Sequence, residues 1–172
     1  MRSFILSTAL ATVLATSAVA GEGTYVSGGF GQVLSQNKEG SNQTDLFVAA
    51  GRDYGRFRAE VNYQNLNSTA TASRVNASLG TAEVFVQHTF DKITPYVGGG
   101  VGYGYLTGTG VRNGTNGIVY VASAGATYDF TKNWAAFTQY DYLRAAVQVT
   151  DLNGKTSDYV GNAVKVGAKY TF

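Results

Sequence analysis

Residues Phe57-Arg58-Ala59-Glu60-Val61-Asn62-Tyr63-Gln64 alternate strictly between apolar and polar. Successive side chains of an extended chain point to opposite faces. Phe57, Ala59, Val61 and Tyr63 therefore share one face, and Arg58, Glu60, Asn62 and Gln64 the other. A strand divided in this way lies between an apolar medium and a polar one. The same rule gives eight candidate strands, at 23–33, 44–52, 57–65, 79–90, 95–106, 117–129, 134–143 and 159–172. Most are near the ~9–11 residues that a tilted strand needs to cross a bilayer.

The connections alternate in length. Asp53-Tyr54-Gly55-Arg56, Asp91-Lys92-Ile93-Thr94 and Phe130-Thr131-Lys132-Asn133 read as tight turns, whereas 34–43, 66–78, 107–116 and 144–158 are long and polar. Short turns at one end and long loops at the other are the asymmetry of a barrel in an outer membrane. A soluble sandwich has no reason to segregate its loops. The fold expected is therefore all-β, an eight-stranded antiparallel up-and-down transmembrane β-barrel with both termini at the short-turn, periplasmic end.

The first residues are set apart from this pattern. Met1-Arg2 is charged, Phe4 to Ala15 is a short apolar run, and Ala18-Val19-Ala20 supplies small residues where a signal peptidase reads. The run is too short to span a bilayer. Residues 1–20 are expected to be a cleaved signal peptide and 21–172 the barrel domain, of 152 residues (172 − 20). Without Arg2 the chain has 12 basic and 11 acidic residues, which gives no electrostatic ground for a nucleic-acid partner. With no cysteine and one histidine, no metal-ligand cluster can be assembled, and no cofactor is expected. The mean hydropathy near zero does not argue against a membrane, because alternating faces cancel in the average.

The 12 Tyr and 9 Phe add a second pattern. Tyr54, Phe57, Phe90, Tyr96, Tyr128, Phe130, Trp134, Tyr170 and Phe172 fall at short-turn ends of strands. Tyr63, Tyr103, Tyr105, Tyr120, Tyr140, Tyr142 and Tyr159 fall near the long loops. Two girdles result, where amphipathic rings sit between lipid tails and headgroups.

The chain closes with Lys165-Val166-Gly167-Ala168-Lys169-Tyr170-Thr171-Phe172. Gly167, Tyr170 and the terminal Phe172 resemble the signal that outer-membrane barrels present to periplasmic chaperones and the barrel-assembly machinery. Further stretches are Thr24-Tyr25-Val26-Ser27-Gly28-Gly29-Phe30-Gly31, Phe57-Arg58-Ala59-Glu60-Val61 and Pro95-Tyr96-Val97-Gly98-Gly99-Gly100-Val101-Gly102-Tyr103. With these the chain resembles the small OmpA/OmpX-type outer-membrane barrels, the outer-membrane β-barrel domain family. The resemblance implies a bacterial outer-membrane location and contact with lipids and lipopolysaccharide. It also implies loops that meet host surface ligands. No peptidoglycan-binding domain follows the barrel motifs.

The inward set should comprise Arg58, Glu60, Asn62, Gln64, Glu83, Gln87, Gln139, Asp141, Lys165 and Lys169. With both signs present, paired networks are expected, since an uncompensated charge there is costly. Such a network can be a polar plug or a path for ions, and the narrow interior of eight strands favours the plug. Gly98, Gly100, Gly102 and Gly104 share one face of the fifth strand and should make room for long charged groups from opposite strands. No helix follows them, so the nucleotide-binding reading of Gly-x-Gly fails.

His88 raises the alternative of a lipid A-modifying enzyme, because the deacylase and palmitoyltransferase barrels rely on a histidine. Thr89, Phe90 and Asp91 follow it with no adjacent serine, and alternation puts it with Val84, Val86 and Phe90 on the lipid face. The reading favoured is a non-enzymatic barrel serving envelope integrity or surface interaction. Its four outer loops hold Lys38, Glu39, Arg74, Arg112, Arg144, Asp151, Lys155 and Asp158. A narrow porin-like channel is the principal rival, and a soluble lipocalin-like barrel a lesser one.

Overall fold

The structure is a computed structural model and describes residues 23–35, 43–68, 75–108, 115–150 and 156–172. The expected signal segment 1–20 and the loop residues Lys38, Glu39, Arg74, Arg112, Asp151 and Lys155 lie outside them.

Eight strands follow in chain order: β1 Thr24–Ser35, β2 Gln43–Asp53, β3 Phe57–Ser68, β4 Val75–Gln87, β5 Ile93–Gly108, β6 Thr115–Asp129, β7 Trp134–Thr150 and β8 Thr156–Thr171. Each pairs antiparallel with the next, and β1 pairs with β8, from Tyr25 opposite Thr171 to Ser35 opposite Gly161. The sheet therefore has no free edge, as lipid requires of a spanning sheet.

Burial identifies the two media. In β2, Asp45 is 0 % exposed while its neighbour Leu46 is 62 % exposed. A carboxylate inside and a leucine outside are the reverse of a water-soluble domain and suit a barrel wrapped in lipid. Phe30, Val48, Val61, Val84, Val97 and Val101 also face outward.

Strand boundaries depart from expectation in two places. β4 stops at Gln87 rather than 90, and the β4–β5 connection runs from His88 to Lys92, with Phe90 and Ile93 exchanging backbone hydrogen bonds and Asp91 at φ 54°. At the loop end the strands are longer than their polarity suggested: β7 reaches Thr150 and β8 begins at Thr156, across a β-bulge between Ala145 and Val149. A two-stranded ladder continues into water without an apolar face, so alternation fades before pairing does.

The girdles form, with one exception. Tyr54, Phe57, Phe90, Tyr128, Phe130, Trp134 and Phe172 are exposed near the short turns, and Tyr103, Tyr105, Tyr120, Tyr140 and Tyr142 near the loops. Tyr96 does not join them; it is buried in the lumen. The Tyr159 side chain is outside the described residues.

The β5 glycines do face inward, but they accommodate chiefly the adjacent strand and not the opposite wall. A Cβ at Gly98 would meet the Phe85 ring at 2.4 Å, one at Gly100 the Glu83 side chain at 2.6 Å, and one at Gly102 the Thr81 side chain at 2.7 Å. Three more inward rings lie over glycines: Tyr25 over Gly51, Tyr96 over Gly125 and Phe137 over Gly167. An aromatic covering a cross-strand glycine is a recognised device for stabilising strongly curved sheets.

Gly102→Ala should therefore destabilise the barrel by ~1–3 kcal/mol, the usual range for overpacking. Its Cβ would stand 2.0 Å from the Gly80 carbonyl oxygen, whereas Gly80 has open space and Gly80→Ala serves as control. Urea midpoints of refolded barrels in lipid vesicles measure both; equal midpoints would refute the steric role.

Candidate functional site

The lumen is filled in three layers. Nearest the short turns, Arg58 is held among rings: its guanidinium carbon lies 4.2 Å from the centroids of both Phe85 and Tyr96 and 5.8 Å from that of Tyr25. Phe85 and Tyr96 meet edge to face at 5.4 Å. Arg58 Nε stands 3.6 Å from Glu60, whose carboxylate accepts a hydrogen bond from the Tyr25 hydroxyl. Lys169 lies 5.4 Å from the other side of this group, over Tyr25. Gln87 Nε2 donates to the Asp53 carboxylate and to the Gly55 carbonyl oxygen, each at 2.8 Å, and so ties β4 to the β2–β3 turn.

A relay leads from this layer to the middle one. The Tyr96 hydroxyl donates to Gln139 Oε1 at 2.9 Å, and Gln139 Nε2 donates to Asp141 Oδ1 at 2.8 Å. Asp141 Oδ2 in turn lies 2.6 Å from Lys165 Nζ, which faces Asp45 at 3.7 Å. All three ion-pair side chains are fully buried. Lys165 reaches Asp45 across Gly31, where a Cβ would lie 2.8 Å from the lysine Cγ. Beside this triad Glu83 accepts from Thr81 at 2.6 Å, Asn62 at 3.4 Å and Ser123 at 3.5 Å. The amide of Gln64 is buried and has neither a donor nor an acceptor partner among the described residues.

The layer beneath the long loops is apolar. Val33, Leu66, Ala77, Leu79, Val119, Val121, Leu143 and Ala163 form one buried cluster from six strands. No part of this cluster belonged to the expected polar lumen.

All ten expected inward residues, Arg58, Glu60, Asn62, Gln64, Glu83, Gln87, Gln139, Asp141, Lys165 and Lys169, do face the lumen. Asp45 is the principal residue that sequence reasoning missed. It alternates with Phe47 and Ala49, so both faces of β2 read as largely apolar, and the single carboxylate offered no pattern. Among the assembly residues, Gly167 points inward beneath Phe137. Tyr170 packs edge to face with Trp134 at 5.0 Å and with Phe172 at 5.2 Å. His88 is exposed beyond the end of β4, its ring 4.5 Å from that of Phe90. Among the described residues no group of three or more His, Cys, Asp and Glu could hold a metal ion.

The outer membrane protein beta-barrel domain family matches residues 4–172. No curated protein matches the sequence. Among solved structures, Neisserial surface protein A is similar with a TM-score of 0.72 at 15% identity, covering 87% of this chain and 97% of that one. The N-terminal β-barrel domain of Pseudomonas aeruginosa OprF follows with a TM-score of 0.61 at 13% identity, covering 88% and 99%. Ail, the attachment invasion locus protein of Yersinia pestis, solved with the heparin analogue sucrose octasulfate, has a TM-score of 0.55 at 14% identity, covering 88% and 100%. At such identities the likeness is one of fold.

Lys165→Met should cost ~3–5 kcal/mol, because it leaves two buried carboxylates without a cation. Adding Asp45→Asn and Asp141→Asn should recover much of that loss. Urea midpoints compare the two variants; a triple variant no more stable than Lys165→Met would show that the triad is not the cause.

Proposed function

Because the chain belongs to the outer membrane protein beta-barrel domain family, and is an eight-stranded barrel of the bacterial outer membrane, we propose that it is a non-enzymatic envelope protein. In this reading its lumen is plugged, and its four outer loops carry its interactions. The observation that carries this reading is the stacking of the apolar layer on the buried Lys165 triad. An ion crossing the barrel would have to enter an apolar layer with no polar side chain to replace its water, and then separate a buried ion pair.

The non-catalytic reading draws support from the position of His88. Its ring packs on Phe90 at the outer surface of a short turn, apart from the polar lumen. The loops hold Lys38, Arg74, Arg112 and Arg144 amid small polar residues, which suits them to lipopolysaccharide phosphates and to anionic host surface ligands. Export by the segment 1–20 and delivery by periplasmic chaperones to the assembly machinery complete the proposal. Tyr170 and Phe172 supply the aromatic edge for that last encounter.

Single-channel recording of the refolded barrel in a planar bilayer tests the plug. A heat-dependent shift on an unboiled gel first shows that the protein is folded. A folded, electrically silent barrel is expected; discrete, reproducible openings would replace this reading with the porin-like channel. Deleting Phe172 tests the assembly role. The amount in the outer membrane should fall several-fold while refolding of the purified chain into detergent persists. Unchanged amounts would remove the terminal ring from the signal, and equal loss of refolding would make its role structural.

A further inference from the structure

One cavity in the short-turn half of the lumen gathers polar atoms that lack partners. Arg58 Nε, Asn62 Oδ1, Thr127 Oγ1 and Lys165 Nζ are buried without a hydrogen bond among the described residues, and all four side chains line this cavity. Arg58 and Lys165 make ion pairs, but neither closes a hydrogen bond with these atoms. The cavity measures about 10 Å³, room for roughly one water-sized occupant.

Its charge is unbalanced. The walls carry Arg58, Lys165 and Lys169 against a single carboxylate, Glu60. Lys165 is met by Asp45 and Asp141, and Glu83 by Thr81, Asn62 and Ser123; these three acids stand in the middle layer and do not line the space. Arg58 and Lys169 both lean over Tyr25 and share Glu60 as the one acid of the cavity wall, and Lys169 has no carboxylate within 4.0 Å among the described residues. Around Tyr25 one positive charge is left over.

We propose that this cavity is a binding site for one small monovalent anion of halide size, entering from the short-turn end. Size excludes phosphate and carboxylates, each of which carries several heavy atoms. Charge favours an anion over water: a water would satisfy the donors, but an unpaired buried charge costs more than an unmade hydrogen bond. The donors converge from Arg58, Lys169 and Thr127. Ser27, Phe137 and Lys169 in the wall keep partial exposure, which places the mouth towards the short turns, while the apolar layer closes the other end. The site stands whether or not the barrel conducts.

Crystals of the full barrel grown in bromide, with data collected at the bromine absorption edge, test the site directly. An anomalous peak between Arg58 and Lys169 is expected. In parallel, the midpoint of heat unfolding in detergent is compared in chloride and in gluconate, an anion too large to enter, at one ionic strength. Chloride should raise the midpoint, and Lys169→Gln should remove that difference; if Lys169→Gln does not fold, Thr127→Val, which should reduce it, takes its place. No peak in the cavity would overturn the proposal. So would a peak without a chloride effect, which would mean binding at crystal concentration only, or a chloride effect unchanged in the variant.

Discussion

Lipid offers no hydrogen-bond partner to a peptide group, and this fact governs the molecule. A sheet that crosses a bilayer must close on itself, and here β1 completes the ladder against β8. Closure at eight strands leaves an interior only about as wide as the side chains that fill it. The outer face then has to be apolar, and the inner face has to be packed and paired. The exposed leucine beside a buried aspartate in β2 is the local result.

Packing a narrow cylinder sets a steric problem that the chain meets with glycine. Long inward residues cannot all stand upright, so Tyr25, Phe85, Tyr96 and Phe137 lie down across glycines of the neighbouring strand. The flattened rings in turn form the box that holds Arg58. Electrostatics and sterics are thus one arrangement: the cation is sited by rings, and the rings are sited by missing side chains.

The architecture was largely legible in the sequence because it follows from a period of two and from loop lengths. The lumen was legible where a polar residue broke an apolar series, as at Arg58, Glu60, Asn62 and Glu83. It was not legible where the inner face is itself apolar. Val33, Leu66, Val119 and Leu143 look outward-facing by composition, and only closure of the barrel turns them inside. Asp45 was hidden by Phe47 in the same way, and Tyr96 was taken for a girdle ring because its distance from a turn says nothing of its face. Strand ends at the loops were underestimated because backbone pairing outlasts the amphipathic pattern.

The rings lying over glycines also act as registration marks. A slip of one residue between strands would expose the lumen set to lipid, and the membrane itself forbids it. A slip of two keeps every residue on its own face, so the surrounding lipid cannot detect it. The interior can. Such a slip would bring Tyr96 against Ser123 or Thr127 in place of Gly125, Tyr25 against Ala49 or Asp53 in place of Gly51, and Phe137 against Lys165 or Lys169 in place of Gly167. Each substitute carries a Cβ where the ring must lie. Proofreading of strand alignment is in this way written into the pairing of the largest side chains with the smallest.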